Sequence, residues 1–270
     1  MTKESLDERC KIFELAEADR RAMRGLPLMA RLDGRAFHTF TRGLSRPYDP
    51  GLSRAMIETS RYLVQEMLAR VAYTQSDEIT LAWYEPVNSA SSYAFEGRFQ
   101  KLVSVLAGMA SARFTKMVAE HVPSKSHETP HFDCRVWQVP TLAEATEVFV
   151  WREDDAMKNS ITMAALSCYT DHEIDGKTAA EKQEMLFQKG INWNDYPPFF
   201  KRGTYLQRKV VRRQLTHEER ARIPEAHRPP PGAVVQRSQI LELELPILRK
   251  LRNAEAVLFE GADPESTRAI

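Results

Sequence analysis

Asp33, Asp77 and Glu78 are the residues whose types and spacing could do chemistry. Asp33 ends the short apolar run from Leu28 to Leu32, and Asp77 lies in Gln75-Ser76-Asp77-Glu78 between two further apolar runs. If those runs pair as strands, the carboxylates meet at one edge of a sheet. Convergent carboxylates repel unless a cation joins them, and hard oxygen ligands select Mg²⁺ or Mn²⁺. Such ions hold a triphosphate and stabilise in-line attack at phosphorus. Spacing alone leaves an equal alternative, in which the acids only form turns or cap helices. Gly34-Arg35-Ala36-Phe37-His38 follows Asp33 directly. A glycine turn there would free backbone N–H groups for an anion-binding nest, with Arg35 and His38 adding charge or donors.

Two other patterns carry no chemistry. His127-Glu128-Thr129-Pro130-His131 has the spacing of a zinc-protease helix. Pro130 lies inside the required turn, where proline costs about 3 kcal/mol, so the two imidazoles do not share a helix face. Gly176-Lys177-Thr178 ends like a phosphate loop, but Asp171 stands where the first glycine belongs. A helix-entry turn is the better reading.

The elements that must position these groups follow from periodicity. Ser5 to Met23 reads as a helix broken by Pro27, and residues 28–32 as a strand. Asp49-Pro50-Gly51 looks like a helix start, with Met56, Leu63, Met67 and Val71 on one stripe. Val71-Ala72-Tyr73 and residues 79–84 form a hairpin around Gln75 to Glu78. Residues 98–118 are helical, 121–131 a loop, 132–137 a strand, and 142–166 mainly helical. The order β, α, β-hairpin, α, β, α predicts an α+β fold, a mixed sheet with helices mainly on one face.

Apolar residues at 43% and charged residues at 28% suit a globular protein. No apolar run approaches the roughly 18 residues of a membrane span. Cys10, Cys134 and Cys168 are scattered, which argues against a disulfide framework and for a reducing compartment. With a charged N-terminal segment lacking an apolar core, a cytoplasmic location is expected. The net charge is only +1, yet ten Lys and Arg face three acids between Lys201 and Arg237. That segment could meet a phosphate backbone. Pro229-Pro230-Pro231-Gly232 reads as a stiff connector, and Ser238 to about Phe259 as a leucine-rich helix interrupted near Pro246.

Arg31-Leu32-Asp33-Gly34-Arg35-Ala36-Phe37-His38, Gln75-Ser76-Asp77-Glu78 and Phe132-Asp133-Cys134-Arg135-Val136 occur in that order. Trp151-Arg152, Asn159, residues 182–186, Asn192-Trp193-Asn194 and Lys201-Arg202-Gly203-Thr204 add to them. Over roughly residues 5–210 the chain resembles the tRNA(His) guanylyltransferase family, the reverse (3′-to-5′) nucleotide polymerases. The resemblance implies a polymerase-palm-like, ferredoxin-like catalytic domain over residues 1–215, with 216–270 as a C-terminal extension of connector and helices. It implies that Asp33 and Asp77, with the Gly34 carbonyl, bind two Mg²⁺ (or Mn²⁺) ions and that Glu78 supports them. The backbone from Gly34 through Arg35, Ala36 and Phe37 to His38 would grip a nucleoside triphosphate. Ser76, Arg46, Lys101, Ser104, Asn159 and Lys182 match positions that handle nucleotide or the tRNA 5′ end.

The implied activity extends the 5′ end of tRNA. ATP or GTP activates the 5′-monophosphate, and a GTP 3′-hydroxyl then attacks it. Maturation of tRNA(His) or repair of truncated tRNA, a homotetramer built as a dimer of dimers, and no membrane association follow from the same resemblance. One stretch departs from it. Met157-Lys158-Asn159-Ser160-Ile161-Thr162-Met163 stands where eukaryotic members carry His-x-Asn-Asn-Leu-Tyr-Asn, and Ala36 replaces an asparagine. That pattern is similar to the bacterial and archaeal branch, which prefers templated addition. Two rivals remain: a silent nucleotide- or tRNA-binding regulator on the same fold, and a palm-fold cyclase, whose hairpin would usually read Gly-Gly-Asp/Glu.

Overall fold

Three apolar runs and their turns set the centre of the molecule. The structure, a computed structural model, describes residues 5–87 and 92–267. Helix α1 (Leu6–Ala18) is followed by strand β1 (Leu28–Gly34), the short α2 (Phe37–Phe40) and α3 (Pro50–Met67). Strands β2 (Val71–Gln75) and β3 (Glu78–Trp83) make a hairpin; α4 (Phe99–His121), β4 (Phe132–Gln138) and α5 (Leu142–Leu166) follow. Then come α6 (Asp171–Ile174), α7 (Ala179–Gln188), α8 (Pro198–Arg202), β5 (Thr204–Gln214), α9 (His217–Ala221) and β6 (Val234–Leu243).

The strands lie in the order β4-β1-β3-β2-β5-β6, and each neighbouring pair is antiparallel. The first four make the βαββαβ arrangement of ferredoxin-like folds. Alternation along each strand sorts side chains to two faces. Leu28, Ala30, Leu32, Ala72, Ile79 and Leu81 point into a core with α3 and α4. The expectation of helices mainly on one face describes these two. Met29, Val71, Tyr73 and Ala82 point the other way, where α5 and residues 248–259 cover part of the sheet.

Local chemistry explains the boundaries. Asp49 caps α3 by accepting the Leu52 N–H at 2.9 Å, with Pro50 in the first turn. Thr178 caps α7 and Glu181 closes a capping box, so Gly176-Lys177-Thr178 is indeed a helix entry. Residues 127–131 are not helical, which removes the zinc-type motif. Helix α4 is long and apolar enough, by length and composition, to cross a membrane (mean hydropathy 1.3). Its Leu102, Leu106, Ala110, Phe114, Met117 and Val118 are buried in the core.

Two expectations change. The first helix stops at Ala18, because the Ala22 N–H bonds the Gly97 carbonyl and Arg20 accepts from the Phe99 N–H. The segment expected to be helical from Ser238 is strand for its first part: β6 pairs with β5 from Tyr205↔Leu243 to Gln214↔Val234. Leu241, Leu243 and Leu245 alternate with Glu242 and Glu244, a period of two that suits a strand and is masked by the leucine content. Pro246 then opens a stretch of short helical turns.

Candidate functional site

Strand register brings the acids together. Asp33 is paired with Glu78 across β1 and β3, and with Asp133 across β1 and β4. Cross-strand partners share a face, so three acids line three adjacent strands at one end of the sheet. Asp77 joins them from the two-residue turn after Gln75. Ser76 adopts a left-handed backbone there (φ 53°), which is strained for a residue with a side chain. The Asp77 carbonyl accepts the Gly34 N–H at 3.0 Å, tying the turn to the end of β1.

A cavity of about 340 Å³ opens at this edge, lined by Asp33, Gln75, Ser76, Asp77, Glu78, Arg152, Asn159, Thr162 and Met163. The sequence readings of Asp33, Ser76, Asp77, Glu78 and Asn159 therefore converge on one place. Lys182 stands just behind it, donating from Nζ to Thr162 Oγ1 at 3.1 Å. Arg46 lies outside that lining, exposed, beside a cis bond to Pro47. Lys101 and Ser104 are exposed on α4, also outside it; Lys101 Nζ sits 5.3 Å from the Phe95 ring centre and Ser104 bonds the Lys101 carbonyl.

The glycine loop is tighter than a free nest. The Gly34 N–H serves Asp77, and the Arg35 N–H donates to the His131 carbonyl at 2.8 Å. Ala36 is left-handed (φ 57°) and, among the described residues, no backbone carbonyl takes the amides of Ala36, Phe37 and His38. The Phe37 side chain is core, packed with Phe40, Phe114 and Phe132. A Cβ on Gly34 would lie 2.3 Å from the Phe37 ring, so only glycine fits at that position.

Charges at the site are unequally balanced. Glu78 is neutralised: Arg152 Nε donates to its Oε1 at 2.7 Å, Thr80 Oγ1 lies 3.3 Å from that atom, and Arg31 Nε lies 3.9 Å from its Oε2. Asp133 faces Arg135 at 3.9 Å. Among the described residues Asp77 has no such cation. Burial, then the nearby charges of Asp33 and Glu78, raise its carboxyl to about 6, against the lowering by its own backbone N–H and the Ser76 hydroxyl. Among the described residues no three His, Cys, Asp or Glu form a ready metal cluster. The set still fits a hard divalent cation: two carboxylates lacking a cationic partner, with the Gly34 carbonyl beside them.

Arg152 and Thr162 were not singled out from the sequence as site residues. Arg152, Asp155, Asn159 and Thr162 recur at helical spacing on α5, and Arg152 and Asn159 both bond Asp155 Oδ2, at 3.1 and 3.3 Å. That spacing was the available signal. A larger cavity of about 850 Å³ lies away from the acids, between α3, α8 and the β5–β6 end. Its buried Glu153 is pushed up to about 7 by burial and accepts the Leu248 N–H at 2.6 Å. The unbalanced carboxylates Asp33 and Asp77 line the smaller cavity, not this one.

Comparison with known proteins bears on the fold and the family. The family described as tRNAHis guanylyltransferase matches residues 7–140. A tRNA(His) guanylyltransferase of Debaryomyces hansenii is 30% identical over 199 residues, covering 67% of this chain and 73% of that protein. A bacterial tRNA(His) guanylyltransferase-like protein solved in complex with ATP aligns with a TM-score of 0.77 and 31% identity, over 94% of this chain and 99% of that one. Another such bacterial structure, in complex with GTP, gives a TM-score of 0.70 and 30% identity over 91% and 94%. With 67% of its length matched at 30% identity to the Debaryomyces hansenii protein, and 94% at 31% identity to the ATP-bound bacterial structure, the chain belongs to the tRNA(His) guanylyltransferase family and is a nucleotidyltransferase of that type.

Proposed function

We propose that this protein adds guanosine, or nucleotides directed by a template, to the 5′ end of tRNA in the 3′-to-5′ direction. The observation that carries the reading is the cavity that unites Asp33, Asp77, Ser76 and Asn159 at the sheet edge. Relatives solved with ATP and with GTP support both nucleotides as substrates. In the first step an oxygen of the tRNA 5′-phosphate attacks the α-phosphorus of ATP or GTP and releases pyrophosphate. In the second the 3′-hydroxyl of GTP attacks the activated 5′-phosphorus and releases the nucleoside monophosphate.

The chain's own residues position these groups. Asp33, Asp77 and the Gly34 carbonyl would hold two Mg²⁺ ions, which neutralise charge on the phosphoryl oxygens. The free amides from Ala36 to His38 would meet a triphosphate, with Arg35 and His38 alongside. Glu78, already paired with Arg152, holds the turn rather than a metal ion. No side-chain nucleophile is required. A cytoplasmic tetramer acting on tRNA(His) or on truncated tRNA is the setting we favour, from the family resemblance.

The test is incubation with 5′-monophosphorylated tRNA, labelled GTP, ATP and Mg²⁺. Label in full-length tRNA is expected; nucleotide binding without transfer would favour a silent regulator. Because Met157 to Met163 departs from the eukaryotic stretch, addition should be faster opposite C than opposite A at the discriminator position. Equal rates would remove the templated reading.

A further inference from the structure

Trp151 is a large aromatic side chain that the reaction as described does not use, and it is 52% exposed. It sits on α5 one residue before Arg152, beside the acidic cavity. The Arg152 guanidinium lies 4.5 Å from its ring centre and that of Arg31 lies 5.4 Å from it. Both guanidinium groups also reach the two oxygens of Glu78, so the indole is steered by the same charge cluster that fixes the catalytic turn. An exposed indole held in this way, on the partly open face of the sheet, presents a preset π surface.

Its placement matches a nucleic-acid end. Arg31 precedes Asp33 by two residues on β1, and a step of two along a strand is about 7 Å on one face. The Arg31 side chain that touches the indole therefore projects from the same sheet face as Asp33, which lines the acidic cavity. Aromatic side chains beside cationic groups are the usual platform for unpaired or terminal bases.

We propose that Trp151 stacks on the terminal base of the RNA end whose 5′-phosphate is held at Asp33 and Asp77. This rests on the function proposed above. It assigns Trp151 to the polynucleotide and not to the free nucleoside triphosphate, which the loop from Ala36 to His38 receives.

The experiment compares equilibrium binding of 5′-monophosphorylated tRNA with the same tRNA made abasic at its 5′-terminal nucleotide. The proteins are wild type, Trp151→Phe, Trp151→Leu and Trp151→Ala, with GTP binding measured separately without RNA. Wild type should lose about tenfold in affinity on removal of the base, and Trp151→Phe should behave similarly. Trp151→Ala and Trp151→Leu should bind both RNAs alike, about tenfold more weakly than wild type binds the intact RNA, with GTP binding unchanged. If the alanine variant does not fold, the leucine variant carries the same comparison. Equal binding of the two RNAs by wild type, or an unchanged base dependence without the indole, overturns the stacking. A wild-type protein that neither binds nor extends intact tRNA brings down the proposed function, and this inference with it.

Discussion

Arg152 on α5 and Glu78 on β3 form an ion pair at 2.7 Å, with side chains only 12% and 13% exposed. The pair separates the acids of the site into two kinds. Glu78 is satisfied by protein, whereas Asp33 and Asp77 pair with no Lys, Arg or His among the described residues. Replacing Arg152 with Gln leaves Glu78 with only the more distant Arg31, 3.9 Å away, beside two other carboxylates. Hydrogen bonds to charged groups contribute about 1.5–3 kcal/mol, so urea unfolding should show a loss of that order. Arg152→Lys should recover part of it. Nucleotide transfer should fall more than GTP binding, since the turn bearing Asp77 loses its support. Wild-type transfer by Arg152→Gln would show that the site does not depend on the Arg152–Glu78 pair.

Asp33→Ala and Asp77→Ala should each abolish nucleotide addition, measured with preactivated tRNA as well as with the 5′-monophosphate. Neither should lower the thermal unfolding midpoint in the absence of divalent ions, because each removal relieves repulsion among neighbouring carboxylates. Retention of near wild-type transfer in either variant would refute the cation assignment.

The raised pKa of Asp77, about 6, gives a pH signature. Between its ordinary value of 3.8 and about 6, the folded protein keeps a proton that the unfolded chain has lost. This group's contribution to stability therefore declines as pH rises through that window and stays low above it. Mg²⁺ competes with the proton, so its stabilising effect should be small near about pH 5 and larger near about pH 7. Unfolding midpoints with and without Mg²⁺ at both pH values read this out. Equal Mg²⁺ stabilisation at the two would mean that Asp77 is not a ligand, and Asp77→Asn should flatten the metal-free dependence.

The basic stretch is more committed to the fold than its charge implies. Arg208 donates to the carbonyls of Leu68 and Ala69, Lys209 to that of Gly261 at 2.9 Å, and Arg213 pairs with Glu219. Among the described residues Arg212 has no such partner. Arg212→Gln should weaken tRNA binding and reduce the slope of log affinity against log salt by about 1, without change in stability. Arg208→Gln should instead lower the unfolding midpoint. An unaltered salt slope in Arg212→Gln would exclude this residue from phosphate contact.

These cases show where the sequence was informative. Asp33 and Asp77 were legible because strand ends and a two-residue turn are local features, marked by polar residues between apolar runs, whereas Ser76 was reached through family resemblance. Asn159 was reached only through family resemblance, and Arg152 was quoted only as part of a motif; their common helix face becomes meaningful once α5 is known to cross the sheet. Strand β6 was misread because its leucines outweighed their period of two, and its partner β5 supplies the pairing that decides the matter. The commitments of Arg208 and Lys209 are tertiary contacts to Leu68 and Gly261, which composition cannot foretell.

The β2–β5 pairing also bears on how the chain acquires its shape. Tyr73 lies opposite Tyr205, over a hundred residues further along. The hairpin that carries Asp77 thus gains its outer neighbour only after α5, α7 and α8 have been synthesised. Closing so distant a contact has a large entropic cost and slows folding. A nascent chain released before β5 would present β2 as a bare edge, with Tyr73 lacking the Tyr205 ring that packs on it, a template for association with other chains. Completion of the sheet beyond β2 is therefore a late event, set by the last third of the polypeptide, whereas the edge that carries the acids is built from residues 28–166.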